Sequence, residues 1–238
     1  MKKSLIILFF QISLFSLRAN SQSYYLSYGI SNPILNFGLI GPEETKSQAA
    51  LGQNISFGFE KKISKNIGFL FNFSSIWNDM KSTNTIKYNN NIKTEEDIWG
   101  AISPYVNNSF SIGLNYIIEN DKKNILFKPK FLLGFCKVNP SSFYYTLDYN
   151  NFSYYQNWRV IYSSKNGFYS SLGFDIDFKL NNKISLVTSC AFSYSKTSHD
   201  YNAYVEGNLS SGSDNFDGNR TIEFSVMNTN LGFRYDFK

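Results

Sequence analysis

The sequence predicts an all-β protein that folds as an eight-stranded antiparallel up-and-down transmembrane β-barrel. Three observations lead to this fold class: an N-terminal export signal, a recurrent alternation of apolar and polar residues, and an aromatic motif at the C-terminus. Successive residues of a strand point to opposite faces, so a period of two separates a lipid-facing side from an interior side.

The first 21 residues have the three parts of a cleaved secretory signal peptide. Lys2 and Lys3 precede an apolar run over 5–17, and the small residues Ala19 and Ser21 predict cleavage after Ser21. A short membrane anchor is the alternative, but the run is shorter than the ~20 residues that a spanning helix needs. The predicted organisation is therefore a signal peptide, 1–21, followed by one barrel domain, 22–238.

The composition fits a barrel in lipid. Hydrophobic residues make up 42% of the sequence and aromatic residues 18%, yet no apolar run is long enough for a transmembrane helix. Without the basic residues of the signal peptide (Lys2, Lys3 and Arg18), 20 of the 23 basic residues remain against 18 acidic ones. This near balance provides no basic surface for a nucleic acid, so we expect no nucleic-acid partner.

Eight segments alternate large apolar residues with Gly, Ser, Asn and a few charged residues, which predicts eight strands. The clearest is 168–178, where Phe168 and Leu172 occupy even positions and Asp175 and Asp177 odd ones. A helix would place the aspartates among the apolar side chains, whereas a strand separates them. The segments are 24–30, 51–60, 67–74, 110–116, 125–135, 168–178, 184–194 and 222–237.

The last segment contains a change of phase. Its apolar residues occupy even positions at Ile222, Phe224 and Val226, and odd positions from Met227 onward. A shift of one residue exchanges the two faces of a strand, so we expect a β-bulge near 226–228.

The predicted connections alternate in length. Short polar turns fall at 64–66, 119–123 and 181–182, and long loops at 31–49, 79–104, 138–166 and 197–220. Outer-membrane barrels have short periplasmic turns and long outer loops, so both termini are expected on the periplasmic side. The loop over 138–166 is rich in aromatic residues. This predicts a partner-binding surface or a hairpin that extends the fifth and sixth strands, and the two interpretations are compatible.

The C-terminus carries the most specific motif. Asn230, Gly232, Tyr235 and Phe237 form a polar-x-Gly-x-x-aromatic-x-aromatic pattern. It resembles the β-signal that the barrel-assembly machinery recognises in the last strand of outer-membrane proteins, and departs from it by ending at Lys238. In size, in its Asn/Tyr/Phe/Lys-rich composition and in this ending, the chain resembles the outer-membrane β-barrel (porin-family, PorT-like) proteins of Bacteroidota. The resemblance implies an outer-membrane location and little about biochemical activity.

Six charged residues on the predicted interior face lie at similar depths near the periplasmic end. They are Glu60, Lys128, Lys130, Asp175, Asp177 and Arg234. Buried charges need partners, so we predict a layer of ion pairs inside the barrel. This layer would either gate a narrow ion path or fill the lumen. We favour filling, because eight strands enclose a space just wide enough for side chains.

Three further features give weak signals. His199, the only histidine, falls in a predicted loop and does not match the His-x-Ser pattern of outer-membrane lipid A deacylases. The segment 214–219 has too few spaced carboxylates for a calcium loop and predicts a solvated turn. Cys136 and Cys190 fall on opposite faces of non-adjacent strands, which argues against a disulfide.

The leading expectation is an integral outer-membrane barrel with a structural or interaction role and no catalytic residue, metal or cofactor. Its expected partners are outer-membrane lipid and, during biogenesis, the barrel-assembly machinery. The alternatives are a subunit of a larger outer-membrane assembly that docks on a protein partner through the long loops, and a lipid-modifying enzyme.

Overall fold

The computed structural model describes residues 22–34, 49–80, 84–89, 92–101, 103–120, 124–149, 154–208 and 214–237. The expected signal peptide, 1–21, lies outside the described residues. No helix in the described part of the chain is long and apolar enough to cross a membrane.

Thirteen strands run through the described residues. In chain order they are β1 (Gln22–Pro33), β2 (Ala49–Lys62), β3 (Ile67–Met80), β4 (Asn84–Asn89), β5 (Ile92–Ala101), β6 (Tyr105–Tyr116), β7 (Ile118–Glu119), β8 (Ile125–Asn139), β9 (Phe143–Tyr149), β10 (Tyr154–Tyr162), β11 (Lys165–Lys179), β12 (Ile184–Gly207) and β13 (Asp214–Phe237).

Eight of these strands form a closed antiparallel ring. Around the ring the order is β1, β2, β3, β6, β8, β11, β12 and β13, and β13 pairs with β1. Each barrel strand pairs with the barrel strands that precede and follow it in the chain, so the hydrogen bonds close without a crossover. The predicted eight-stranded up-and-down barrel is confirmed.

The same sheet continues beyond the barrel as an extension along the upper part of β12. We call it the outer sheet; it consists of β4, β5, β9, β10 and the ends of β12 and β13 beyond the Lys196–Glu223 pair. β10 pairs with β12 from Tyr162–Tyr201 to Gln156–Gly207. The aromatic segment predicted as a loop or hairpin therefore contains a hairpin, β9–β10, which follows β8 and precedes β11 in the chain.

The prediction of a long loop over 197–220 is wrong. β12 and β13 remain paired without interruption from Ile184–Tyr235 to Val205–Asp214. The segment 214–219 is consequently the exposed start of β13 and not a turn. Its many Asp and Asn residues resemble a loop in composition, but their side chains bond across the two strands: Asn202 Nδ2 donates to Asp217 Oδ1 over 2.8 Å.

The predicted bulge near 226–228 is also wrong. The register of β13 is continuous against both β12 and β1. Ile222, Phe224 and Val226 are buried and follow the inward-facing phase of Arg234. The change of phase in the sequence therefore marks the point at which the inward residues of β13 change from polar to apolar, without a change of register. The barrel strands do contain one register shift, in β2 opposite β3, between Ala49 and Gly52.

The outward faces of the barrel strands expose apolar side chains. Leu26, Phe57, Phe135, Leu172 and Phe233, on five different strands, are between 51% and 73% exposed. So much contiguous apolar surface is unfavourable in water and is what a lipid-facing belt presents.

Aromatic rings gather at the end of the belt that carries the short turns. The ring of Tyr24 lies 5.2 Å from that of Phe59 and 5.2 Å from that of Phe237, centroid to centroid. Membrane barrels have such aromatic girdles where the apolar belt meets the headgroups. We call these three residues and Tyr235 the turn-end girdle.

Candidate functional site: the barrel interior

The strand ladders bring the six predicted interior charges into one layer near the short-turn end. Asp175 of β11 stands opposite Lys128 of β8, and Tyr25 of β1 stands opposite Arg234 of β13. The side chains of all six residues are at most 10% exposed. We call Glu60, Lys128, Lys130, Asp175, Asp177 and Arg234 the charge layer.

Arg234 is the central residue of the charge layer, since its guanidinium contacts all three acids. Nη2 lies 3.1 Å from Asp175 Oδ2, Nε lies 3.1 Å from Asp177 Oδ2, and Nη1 contacts Glu60. These contacts reach from β13 to β2 on one side and to β11 on the other. The planar fork of an arginine suits such multiple carboxylate contacts better than a lysine would.

The two lysines complete the pairing. Lys128 Nζ lies 3.0 Å from Glu60 Oε2 and 2.7 Å from Asp177 Oδ2. Lys130 Nζ lies 2.5 Å from Asp175 Oδ1. Three bases thus meet three acids, and the charge layer carries no formal excess charge. Such mutual compensation is required where water is excluded.

Tyr25 lies against the side of the charge layer that faces the middle of the barrel. Its ring centroid is 5.2 Å from Arg234 Cζ and 6.0 Å from Lys130 Nζ, distances at which a cation is attracted to a ring face. Its hydroxyl donates a hydrogen bond to Asn72 Oδ1 over 2.7 Å.

The middle of the interior is lined by small polar side chains. Asn54 Nδ2 donates to Asn230 Oδ1 over 3.1 Å, and Asn228 Nδ2 donates to Ser193 Oγ over 3.1 Å. They surround a cavity of about 30 Å³. That volume suffices for one or two water molecules, which could bond to Asn54 Oδ1 and Asn228 Oδ1, two buried atoms without a partner among the described residues.

Toward the outer sheet apolar side chains enter the interior beside buried polar ones such as Asn78 and Ser195. Ala49, Ile76, Tyr105, Phe224 and Val226 form one packed cluster, and each is at most 1% exposed. Sequence reasoning missed this cluster, because it assigned the even-numbered apolar residues of the last strand to the lipid-facing side. The unbroken even phase from Ile222 to Arg234 was the signal that could have revealed it.

His199 is not a loop residue, as the sequence suggested, but a fully buried residue of β12. Its Nδ1 lies 2.8 Å from the carbonyl oxygen of Ser163, to which it donates, and its Nε2 accepts from the hydroxyl of Thr197. Ser163 connects β10 to β11, so His199 ties the outer sheet to the barrel. Burial holds the pKa of His199 below its usual value, against the opposing effect of the bond to Ser163.

The residues of the predicted assembly motif divide between the two faces. Asn230 faces the interior, and Gly232 does too, where an added Cβ would lie 2.6 Å from Ser27 Cα. Tyr235 and Phe237 face outward in the turn-end girdle, with centroids 4.7 Å apart. Cys136 is interior and both cysteines are free, as the sequence predicted.

Larger recesses lie outside the packed interior. A vestibule of about 520 Å³ opens at the short-turn end, and Glu60 and Lys128 of the charge layer are among its lining residues. A groove of about 620 Å³ runs along the outer sheet between β10, β12 and β13. In the described part of the chain, no group of three or more His, Cys, Asp or Glu residues could hold a metal ion.

Comparison with known proteins agrees with this architecture. No protein-family model and no curated protein matches the chain. Among solved structures, a major outer membrane protein from Thermus thermophilus matches with a TM-score of 0.50 and 13% identity, over 92% of this chain and 100% of that one. At this identity the similarity establishes the fold, that of a bacterial outer-membrane β-barrel.

Two other structures match less closely. OprG from Pseudomonas aeruginosa has a TM-score of 0.47 and 15% identity, over 92% of this chain and 96% of that one. Ail, the attachment invasion locus protein of Yersinia pestis, has a TM-score of 0.40 and 13% identity, over 92% of this chain and 99% of that one.

Removal of one cation from the charge layer should destabilise the barrel. Lys128→Met leaves Glu60 and Asp177 short of a partner, and breaking a buried pair in this way costs about 3–5 kcal/mol. Urea unfolding in lipid vesicles, followed by tryptophan fluorescence, should show a much lower midpoint. Lys196→Met, which breaks the exposed pair with Glu223, is the matched control and should change the midpoint little. Equal shifts for both variants would contradict this assignment.

His199 should titrate below the usual histidine pKa of 6.5. The buried ring stays neutral while the unfolded chain binds a proton, so the free energy of unfolding should fall as the pH drops below 6.5. The chain has one histidine, so its imidazole NMR signals report the midpoint directly. His199→Gln should remove this part of the pH dependence. A midpoint at or above 6.5 would show that the ring is not held as described.

Proposed function

We propose that this chain is an integral protein of the bacterial outer membrane, with a structural or interaction role and a lumen that does not conduct ions. The charge layer is the observation that carries the proposal. It occupies the interior with side chains that neutralise one another, and so offers a permeating ion neither space nor free charge.

An outer-membrane location is supported by several independent features. They are the signal peptide read from the sequence, the apolar belt with its turn-end girdle, and the aromatic C-terminal motif. With the short turns in the periplasm, both ends of the barrel domain would lie there, since Gln22 pairs with Phe237. Membership of the Bacteroidota porin-family, PorT-like group is part of the proposal and rests on composition and the C-terminal residues.

An ion crossing this barrel would meet two obstacles in series. From the vestibule it would first have to separate Lys128 or Arg234 from their carboxylates, leaving buried charges without partners. Beyond the small polar cavity it would meet the cluster around Ile76 and Phe224, which excludes hydrated ions. A lumen closed by both layers serves stability and leaves the two ends of the molecule available for interactions.

Planar-bilayer recording tests the closed lumen. The wild-type protein should give no steady, ion-selective conductance, and slower migration of boiled than of unboiled protein on a gel should confirm that the barrel has folded. A steady, selective current in the wild type that Asp175→Ala abolishes would overturn the proposal, because it would make the charge layer an ion path.

A role as a subunit of a larger outer-membrane assembly is the second candidate, and the outer sheet favours it. Above the apolar belt, Tyr144, Ile161 and Phe216 remain between 42% and 47% exposed. Tyr144 also stacks with Arg159, at 5.7 Å from Cζ to the ring centroid. Aromatic residues and arginine are the types enriched at protein interfaces, so this surface suits a protein partner.

Purification in mild detergent tests the assembly reading. If the outer sheet binds a partner protein, the wild type should migrate in a larger complex, and a Tyr144→Ser/Ile161→Ser/Phe216→Ser variant should migrate alone. An Asn215→Ala/Thr221→Ala variant, altered at exposed polar positions of the same sheet, should keep the complex. A lone, monodisperse wild-type species would argue against the assembly.

The proposed role is not enzymatic. His199, the residue with the chemistry that a lipid-modifying enzyme would use, is buried with both ring nitrogens engaged. A general base needs an accessible nitrogen near its substrate, whereas both nitrogens of His199 are bonded to Thr197 and Ser163.

A further inference from the structure

The vestibule at the short-turn end collects charged side chains from strands that lie far apart in the ring. Lys62 at the end of β2, Lys179 at the end of β11 and Asp236 of β13 are among its lining residues. Each of the three lies two residues beyond a member of the charge layer and continues the inward-facing phase of its strand. They form a second charged level at the opening of the barrel, and we call them the mouth charges.

The mouth charges differ from the charge layer in that none of them forms an ion pair within the described part of the chain. All three residues are nevertheless half-buried, because they face into the recess. Below them, Lys128 and Glu60 line the same recess, but their charges already compensate each other at 3.0 Å. The vestibule therefore offers a ligand two uncompensated cations and one uncompensated anion.

The two lysines stand on opposite walls of the barrel. In the ring, three strands separate β2 from β11 on either side, β3, β6 and β8 on one and β1, β13 and β12 on the other. With eight strands spaced by about 4.8 Å and tilted by about 40°, such a barrel is roughly 16 Å across. A flexible four-carbon stem carries each lysine ammonium well toward the axis. One short ligand on the axis can therefore contact Lys62 at one end and Lys179 at the other, with Asp236 to one side.

The mouth charges are complementary to a ligand with two separated carboxylates and one ammonium group. Each of these groups can form a charge-assisted hydrogen bond with its opposite. The side-chain amide of Asn182 adds a donor and an acceptor that suit a peptide group, and Leu126 and Phe237 add apolar wall. The volume of about 520 Å³ lies within the range of about 300–1,000 Å³ that is usual for small-molecule sites. A short peptide meets all of these conditions.

We propose that the vestibule binds short acidic peptides with a free N-terminal ammonium group, such as a dipeptide that ends in glutamate. The two carboxylates of the ligand contact Lys62 and Lys179, and its ammonium group contacts Asp236. The site requires only the folded barrel, and it depends neither on the closed lumen nor on the role of the outer sheet. With the short turns in the periplasm, its ligands would be peptides of that compartment.

An NMR titration of isotope-labelled wild-type protein in detergent micelles tests the site, with the side-chain amide signals of Asn182 as the readout. Alanyl-glutamate should shift these signals in a saturable way. Two matched ligands each lack one charge: N-acetyl-alanyl-glutamate has no ammonium group, and alanyl-glutamine has one carboxylate fewer. Each should have a dissociation constant about 10-fold higher than that of alanyl-glutamate, because one charged hydrogen bond is lost.

Variants of the mouth charges assign the contacts. K62Q/K179Q should raise the dissociation constant of alanyl-glutamate by about 10-fold or more. K61Q/K65Q is the matched control, since it removes two lysines of the same end that do not line the vestibule, and it should change the constant little. D236N should weaken alanyl-glutamate but not N-acetyl-alanyl-glutamate, which has no ammonium group to lose. A misfolded variant would weaken both ligands alike.

Three results would overturn the site or its ligand class. The first is the absence of a saturable shift with alanyl-glutamate in wild-type protein that migrates differently when boiled and unboiled. The second is an equal loss of affinity in K62Q/K179Q and K61Q/K65Q, which would reduce the effect to the general positive charge of this end. The third is inorganic phosphate binding as tightly as alanyl-glutamate, since one compact anion would then suffice. Identical migration of boiled and unboiled protein would contradict the barrel itself, and with it the proposed function as well.

Discussion

The contacts of Arg234 with the three acids of the charge layer constrain the rest of the barrel. A guanidinium buried to 1% exposure is stable only when carboxylates from other strands arrive at the same depth. β2, β11 and β13 must therefore all be in register at once. A slip of one residue in β13 would turn Arg234 to the lipid and leave Glu60, Asp175 and Asp177 short of a partner, so the charge layer selects the register as well as stabilising it.

The interior of the barrel changes in character from one end to the other. Because side chains fill it, the surfaces available for interactions lie at the two ends. Charged groups compensate one another near the short turns, amide and hydroxyl groups bond to one another in the middle, and apolar residues pack below the outer sheet. The charges compensate one another within their own level, whereas buried amide atoms of the middle level such as Asn115 Oδ1 and Asn228 Oδ1 have no hydrogen-bond partner among the described residues. The surfaces open to a partner lie at the two ends, where the outer sheet exposes aromatic rings and the short-turn end opens into the vestibule.

The sequence predicts most of the barrel because the period of two is a local signal that each strand carries independently. The same pattern predicts which charged residues face the interior, because a charged residue in a strand with an apolar lipid-facing side must face away from lipid. It fails where one local pattern has two solutions. With a bulge in β13, Ile222, Phe224 and Val226 would face lipid. Without a bulge, they face the interior. The choice depends on Ile76 and Tyr105, which are distant in sequence and pack against Phe224 and Val226 inside the barrel. The pairing of β12 with β13 above the barrel was not predicted for a similar reason, since it depends on contacts between strands and not on a local pattern.

The final strand carries both the residues of the predicted assembly motif and the central residue of the charge layer. The eight residues from Asn230 to Phe237 contain the aromatic motif that resembles an assembly signal, and also Arg234, the centre of the charge layer. Their outward residues suit recognition and the girdle, while their inward residues complete the interior. Because β13 also closes the ring against β1, the charge layer can be complete only when the barrel itself is closed. An open barrel would deprive the carboxylates on β2 and β11 of Arg234 and leave them with the two lysines alone, which favours closure once the last strand is in place.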